Sequence, residues 1–128
     1  MICDRLFVYG TLRRGSNNYY AELLAKTASH LGEGAVSGRL YRVTHYPALV
    51  KAKADHERVK GDLFEGITAE LWALLDDYEG DAYSREIVDV TMEDGRALQS
   101  YVYRYALFSE SLEWIRSGDW NQPDRIES

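Results

Sequence analysis

Arg5-Leu6-Phe7-Val8-Tyr9-Gly10-Thr11-Leu12-Arg13-Arg14-Gly15 is the stretch on which the fold turns. Residues 5–9 are short, apolar and rich in β-formers, with no alternation of polar and apolar positions. Such a run reads as a strand buried on both faces, and Gly10 stops it. A strand ending at a glycine allows consecutive backbone N–H groups to point into one concavity, which makes an anion or oxyanion nest. The same residues also suit a plain tight turn after a core strand.

Working outward, Gly10 to Asn18 reads as a loop and Tyr19 to Ala28 as a helix with Tyr20, Leu23, Leu24 and Thr27 on one face. Val36 to Val43, Ala48 to Ala52 and Val59 to Phe64 read as strands between Gly, Pro and charged clusters. Thr68 to Tyr78 is the clearest helix. Thr68 can cap it, Glu70 suits its positive end, Leu71, Leu74, Leu75 and Tyr78 form a stripe, and Gly80 ends it. Ile87 to Met92 and Leu98 to Leu107 form a hairpin around Glu93-Asp94-Gly95-Arg96. Many strands and two helices predict an α+β fold with a curled or barrel-like sheet.

The chain has 128 residues, 45% hydrophobic and 28% charged, which suits one globular domain. That domain is expected over residues 1–121, with a polar, frayed tail over 122–128. The single cysteine, Cys3, excludes an internal disulfide framework and a Cys-rich zinc site, and fits a reducing, cytoplasmic compartment. No apolar run approaches the roughly 20 residues of a membrane helix, and no signal peptide is expected. The net charge of −6 argues against a general nucleic-acid binder. It is unevenly spread: ten Lys/Arg against five Asp/Glu in residues 1–60, then five against sixteen in 61–128. Either this is solvated surface charge, or a basic segment meets a later acidic one across a site.

Most chemical motifs fail on inspection. Gly32-Glu33-Gly34-Ala35-Val36-Ser37-Gly38 misses the dinucleotide fingerprint by one residue at its third glycine and reads as turn chemistry. His30, His45 and His56 lack metal-ligand spacing, so no metal is expected. Asp76-Asp77-Tyr78-Glu79-Gly80-Asp81 is different, because four carboxylates crowd the negative end of a helix. At about 100° per residue, Glu79 falls roughly 80° from Leu71, at the edge of the apolar stripe, while Asp76 and Asp77 project toward solvent. Burial, neighbouring carboxylates and the helix end would raise its pKa, as a general acid or base near neutral pH requires. A merely solvated acidic helix end is the other reading.

Together, Tyr9-Gly10-Thr11-Leu12 and Leu75-Asp76-Asp77-Tyr78-Glu79-Gly80 resemble the signatures of the γ-glutamylcyclotransferase-like family, especially its small bacterial and γ-glutamylamine branches. Tyr46-Pro47-Ala48-Leu49-Val50, Val59-Lys60-Gly61-Asp62-Leu63-Phe64 and Tyr101-Val102-Tyr103 extend the similarity in order from about residue 5 to 105. Asn18-Tyr19 departs from the Asn-His pair of many relatives. The resemblance implies a small mixed β-barrel flanked by helices. It implies cyclisation of a γ-glutamyl group to 5-oxoproline with release of an amine or amino acid, and no cofactor. By the same resemblance Glu79 is the acid/base, and Tyr9, Gly10, Thr11, Leu12, Tyr83, Arg85 and Tyr103 are substrate-binding. The partner implied is a small-molecule γ-glutamyl substrate, without nucleic acid or membrane; oligomeric state stays open. The alternatives are a non-catalytic small-ligand or interaction module that keeps the pocket, and a γ-glutamyl-removing step in a biosynthetic pathway.

Overall fold

The computed structural model describes residues 4–121, so Cys3 and the 122–128 tail lie outside the described residues. Strand β1 (Arg5–Val8) is buried on both faces: Phe7 and Tyr9 pack on one side, Leu6 and Val8 on the other. It is followed by α1 (Tyr19–Thr27), β2 (Ser29–Ser37), β3 (Arg39–Val43), β4 (Tyr46–Val50), β5 (Arg58–Glu65), α2 (Ala69–Glu79), β6 (Tyr83–Met92), β7 (Ala97–Tyr105) and β8 (Glu113–Ile115). Strands β1-β5-β2-β6-β7 close into a barrel, and β4-β3-β8 form a second sheet. Closure comes from parallel pairing of β1 with β7, Leu6 opposite Tyr101 and Phe7 opposite Val102; the β1–β5, β2–β5, β2–β6 and β6–β7 pairs are antiparallel. The expected mixed barrel flanked by helices is therefore the architecture found.

Two clusters divide the core. Phe7, Tyr9, Val36, Val59, Leu63, Val90 and Val102 pack with Leu40, Leu49 and Ile115 of the second sheet. Leu6, Val8, Phe64 and Tyr103, on the opposite faces of their strands, pack against Leu24 of α1 and Leu71, Trp72 and Leu75 of α2. Burial of such side chains contributes about 1.5–3 kcal/mol each. The α2 stripe is rotated from the expected one, with Trp72 buried and Leu74 45% exposed, because the Trp72 ring meets Tyr101 edge-on. In α1, Thr27 is exposed and its hydroxyl donates to the Leu23 carbonyl.

Several expected boundaries move. Val36 to Val43 is two strands, because the chain leaves the barrel for the second sheet at Gly38, where a Cβ would lie 2.7 Å from Leu49 Cδ1. The glycine-rich 32–38 segment is largely strand rather than turn: Gly34 sits where Val90 and the Thr91 carbonyl approach within 2.9 Å of a notional Cβ. Strand β6 starts at Tyr83, not Ile87, since Tyr83 to Glu86 pair with Tyr105 to Val102. The hairpin turn at 93–96 is as expected, with Gly95 at φ 91°. Strand β8 was not expected. No helix among the described residues is long and apolar enough to cross a membrane.

Candidate active site

Past β1 the chain turns sharply. The Arg13 N–H donates to the Gly10 carbonyl at 3.0 Å, which closes a four-residue turn with Thr11 and Leu12 at its centre. Only glycine fits at position 10, because a Cβ there would lie 2.1 Å from Pro47 Cγ. Asn18 fastens the turn to α1: its Nδ2 donates to the Thr11 carbonyl at 2.6 Å, while its Oδ1 caps the helix by accepting from Ala21 N–H. Among the described residues the N–H groups of Gly10, Thr11 and Leu12 donate no hydrogen bond, although Gly10 and Leu12 are buried. Buried amides are normally satisfied, so three in succession without an acceptor among the described residues, two of them in buried residues, leave room for a ligand's acceptor.

These residues line a cavity of about 460 Å³, within the usual range for small-molecule sites. Helix α2 lies along β6 and β7, so that Trp72 meets Tyr101, Asp76 meets Tyr103, and Glu79, one turn further, reaches the cavity. Gly80 (φ 75°) then ends the helix and sends the chain into β6. Among the described residues Glu79 is the one charged side chain on the cavity wall. Its carboxylate has no hydrogen-bond or ion-pair partner among the described residues, and burial pushes its pKa up to about 7. The crowded carboxylates are not the cause: Asp76 is held by the Tyr103 hydroxyl at 2.6 Å and by Arg85 at 3.2 Å.

Four tyrosines surround Glu79, and its proximity adds to the burial that raises the pKa of Tyr9, Tyr78, Tyr83 and Tyr103 above the usual phenol value. Three of them spend their proton on the protein. Tyr9 donates to the Tyr103 carbonyl at 2.5 Å, Tyr83 to the Pro47 carbonyl at 2.5 Å, and Tyr103 to Asp76. What their oxygens can offer a ligand is lone pairs. The Tyr78 hydroxyl shares a hydrogen bond with Thr11 Oγ1 at 3.0 Å.

Of the residues singled out from the sequence, Tyr9, Gly10, Thr11, Leu12, Glu79, Tyr83 and Tyr103 line this cavity together. Arg85 does not. Its guanidinium stacks 4.4 Å from the Trp72 ring centre and pairs with Asp76, because its place on β6 lies one helical turn back from Glu79. Arg13 also points elsewhere, onto Asp62, Asp119 and Glu33. The wall residues that were missed are chiefly Val43, Tyr46 and Pro47 of the β3–β4 hairpin, with Ala82 and Tyr105. Tyr46-Pro47 stood inside a family-like segment, but nothing local to it showed that a second sheet would fold over the β1 turn. Among the described residues no group of three or more His, Cys, Asp or Glu side chains could hold a metal ion.

Residues 6–122 match the family described as γ-glutamyl cyclotransferase, AIG2-like. The chain belongs to that family. The γ-glutamylcyclotransferase family protein YtfP of Escherichia coli K12 is 29% identical over 125 residues, covering 94% of this chain and 99% of YtfP. Among solved structures, YkqA of Bacillus subtilis superposes with a TM-score of 0.73 at 26% identity, over 93% of this chain and 40% of its own. An AIG2-like protein of Mus musculus gives 0.72 at 26% identity, over 88% of this chain and 85% of its own. The family's barrel and flanking helices are thus the frame that brings the β1 turn and the end of α2 together here.

Proposed function

We propose that this chain cyclises a γ-glutamyl group to 5-oxoproline and releases the amine or amino acid attached to it, with Glu79 as general acid/base. One observation carries the reading: a half-buried carboxylate of pKa about 7 shares a small cavity with three backbone amides, all without a hydrogen-bond partner among the described residues. The reaction needs few parts. The substrate's own α-amine attacks its γ-carbonyl, so no serine or cysteine nucleophile is required, and much of the acceleration comes from holding a compact conformer. Glu79 takes a proton from the attacking nitrogen and returns it to the departing one, for which positioned acid–base catalysis typically supplies about 10²- to 10⁴-fold.

The amides of Gly10, Thr11 and Leu12 receive the substrate's anion, its α-carboxylate in the ground state or the oxyanion as the ring closes. The tyrosine oxygens, their own protons committed, suit the α-ammonium before it loses its proton. The test is a panel of γ-glutamyl amino acids, γ-glutamyl amines and glutathione, with 5-oxoproline as readout. Product from wild type and its loss in folded Glu79→Gln supports the reading, whereas unchanged turnover in that variant removes Glu79 from the mechanism. A wild type that binds members of the panel but releases no 5-oxoproline would make the domain a binding module instead.

A further inference from the structure

Arg13 follows the two central residues of the β1 turn, yet its side chain leaves the cavity and is 5% exposed. Its Nε donates to Asp62 Oδ2 on β5 at 3.0 Å, its Nη1 to Asp119 Oδ1 after β8 at 2.8 Å, and its Nη2 to Glu33 Oε1 on β2 at 3.1 Å. Asp62 Oδ2 also accepts the Arg14 backbone N–H at 3.2 Å, and Asp62 Oδ1 lies 3.0 Å from His30 Nε2. One carboxylate on the neighbouring strand therefore holds both the side chain of residue 13 and the main chain of residue 14. Stability alone does not account for this arrangement, because well-packed apolar residues commonly replace buried ion pairs without loss. What an apolar cluster cannot do is tie a main-chain amide and a planar fork to the same oxygen. Three acceptors on three different segments also demand the rigid guanidinium rather than an ammonium.

We propose that Arg13, acting through Asp62, is the positioning residue of the Gly10–Arg13 turn: it fixes the turn's C-terminal end and so aims the unpaired amides of Thr11 and Leu12. The turn's other end is fixed separately, by the Tyr9 hydroxyl between the Tyr103 carbonyl and the Leu49 N–H. The proposal rests on the cyclotransferase reading, in which those amides meet the substrate's anion; Arg13 itself does not touch substrate.

The experiment compares wild type with Arg13→Lys and Asp62→Asn in two independent arms. In the first, kcat and KM are measured on whichever panel substrate yields 5-oxoproline, well below each variant's melting temperature and across pH. In the second, backbone amide exchange is followed by NMR, with the Arg13 and Arg14 N–H groups as reporters. Positioning predicts that kcat/KM per folded molecule falls about tenfold or more in both variants while the limb near pH 7 stays in place. It also predicts reporter exchange about tenfold faster, with the α2 amides unchanged. A lower melting temperature with kcat/KM and reporter exchange both within twofold of wild type would overturn it, leaving Arg13 as a structural ion pair. Should Arg13→Lys fail to fold, Asp62→Asn decides alone. Should wild type process nothing, the functional reading falls and the exchange arm still judges the turn.

Discussion

Two charges, a buried Arg13 and a half-buried Glu79, flank the β1 turn and are housed in opposite ways. Arg13 is surrounded by three carboxylates, and each of its three guanidinium nitrogens donates to one of them. Glu79 has no hydrogen-bond or ion-pair partner among the described residues and faces tyrosines. A partnered charge stays ionised and locks its neighbours, which suits a part that must not move. A charge left without partners costs free energy whenever it ionises, and that cost brings a carboxylate's pKa near neutrality. The fold places a fully paired cation on one side of the turn and a carboxylate with a raised pKa on the other.

The contrast can be broken from either side, and the largest effect belongs to Glu79. Glu79→Gln is expected to lower kcat by about 10²- to 10⁴-fold in the 5-oxoproline assay, while gaining stability in a pH-dependent way. Unfolded Glu79 ionises as pH passes 4.5, but folded Glu79 not until about 7. Between those values the unfolded state binds fewer protons, so wild-type stability falls as pH rises, by up to about 3 kcal/mol. The non-titrating variant escapes that loss. Its stability relative to wild type should therefore rise from pH 4.5 to pH 7 and then level off, as read by urea melts along a pH series.

Arg13→Met attacks the other side. It strands Asp62 and Asp119 in a buried setting and should cost about 3–5 kcal/mol of folding free energy by urea denaturation. An equal penalty in Glu79→Gln, or none in Arg13→Met, would erase the distinction between the two charges. Gly10→Ala forces a methyl into the Pro47 ring between the two regions, and about 1–3 kcal/mol of destabilisation is expected together with a raised KM. Tyr103→Phe is the mildest. It removes the hydroxyl bound to Asp76, which keeps Arg85, and should lower stability by about 1 kcal/mol in a thermal melt.

How much of this was legible follows from how local each signal is. The apolar run at residues 5–9 marked a doubly buried strand by itself, and the helical wheel placed Glu79 at the edge of the α2 stripe, because both features need only neighbours along the chain. The glycines of β2 misled because their reason is on other strands: Gly34 is small to admit Val90 and the Thr91 carbonyl. Strand β8 has three residues, too few for a period. Arg85 was misplaced because Tyr83 and Arg85 share a face of β6, and only the register against α2 separates them. Arg13 directly follows the Gly10-Thr11-Leu12 segment that the resemblance assigns to substrate. Its carboxylates stand 20 to 106 positions away, so no local pattern could show that its charge was already spent. The uneven charge along the chain is partly explained here, since a basic residue of the first half meets acids of the second, though behind the turn and outside the cavity.

The parallel closure of β1 against β7 also sets the order in which the protein can come into being. The cavity wall runs from Phe7 to Tyr105, and the strand bearing the turn pairs on one side with residues 101 and 102. During synthesis, then, the first strand must wait for nearly the whole chain to emerge before its last neighbour arrives. Contacts of that sequence separation slow folding, because loop-closure entropy is lost before any pairing compensates for it. A nascent or truncated chain ending before β7 would carry the turn and Glu79 but no enclosed site. Such a chain would hold the Glu79 carboxylate in water, at an ordinary pKa, until the barrel shuts.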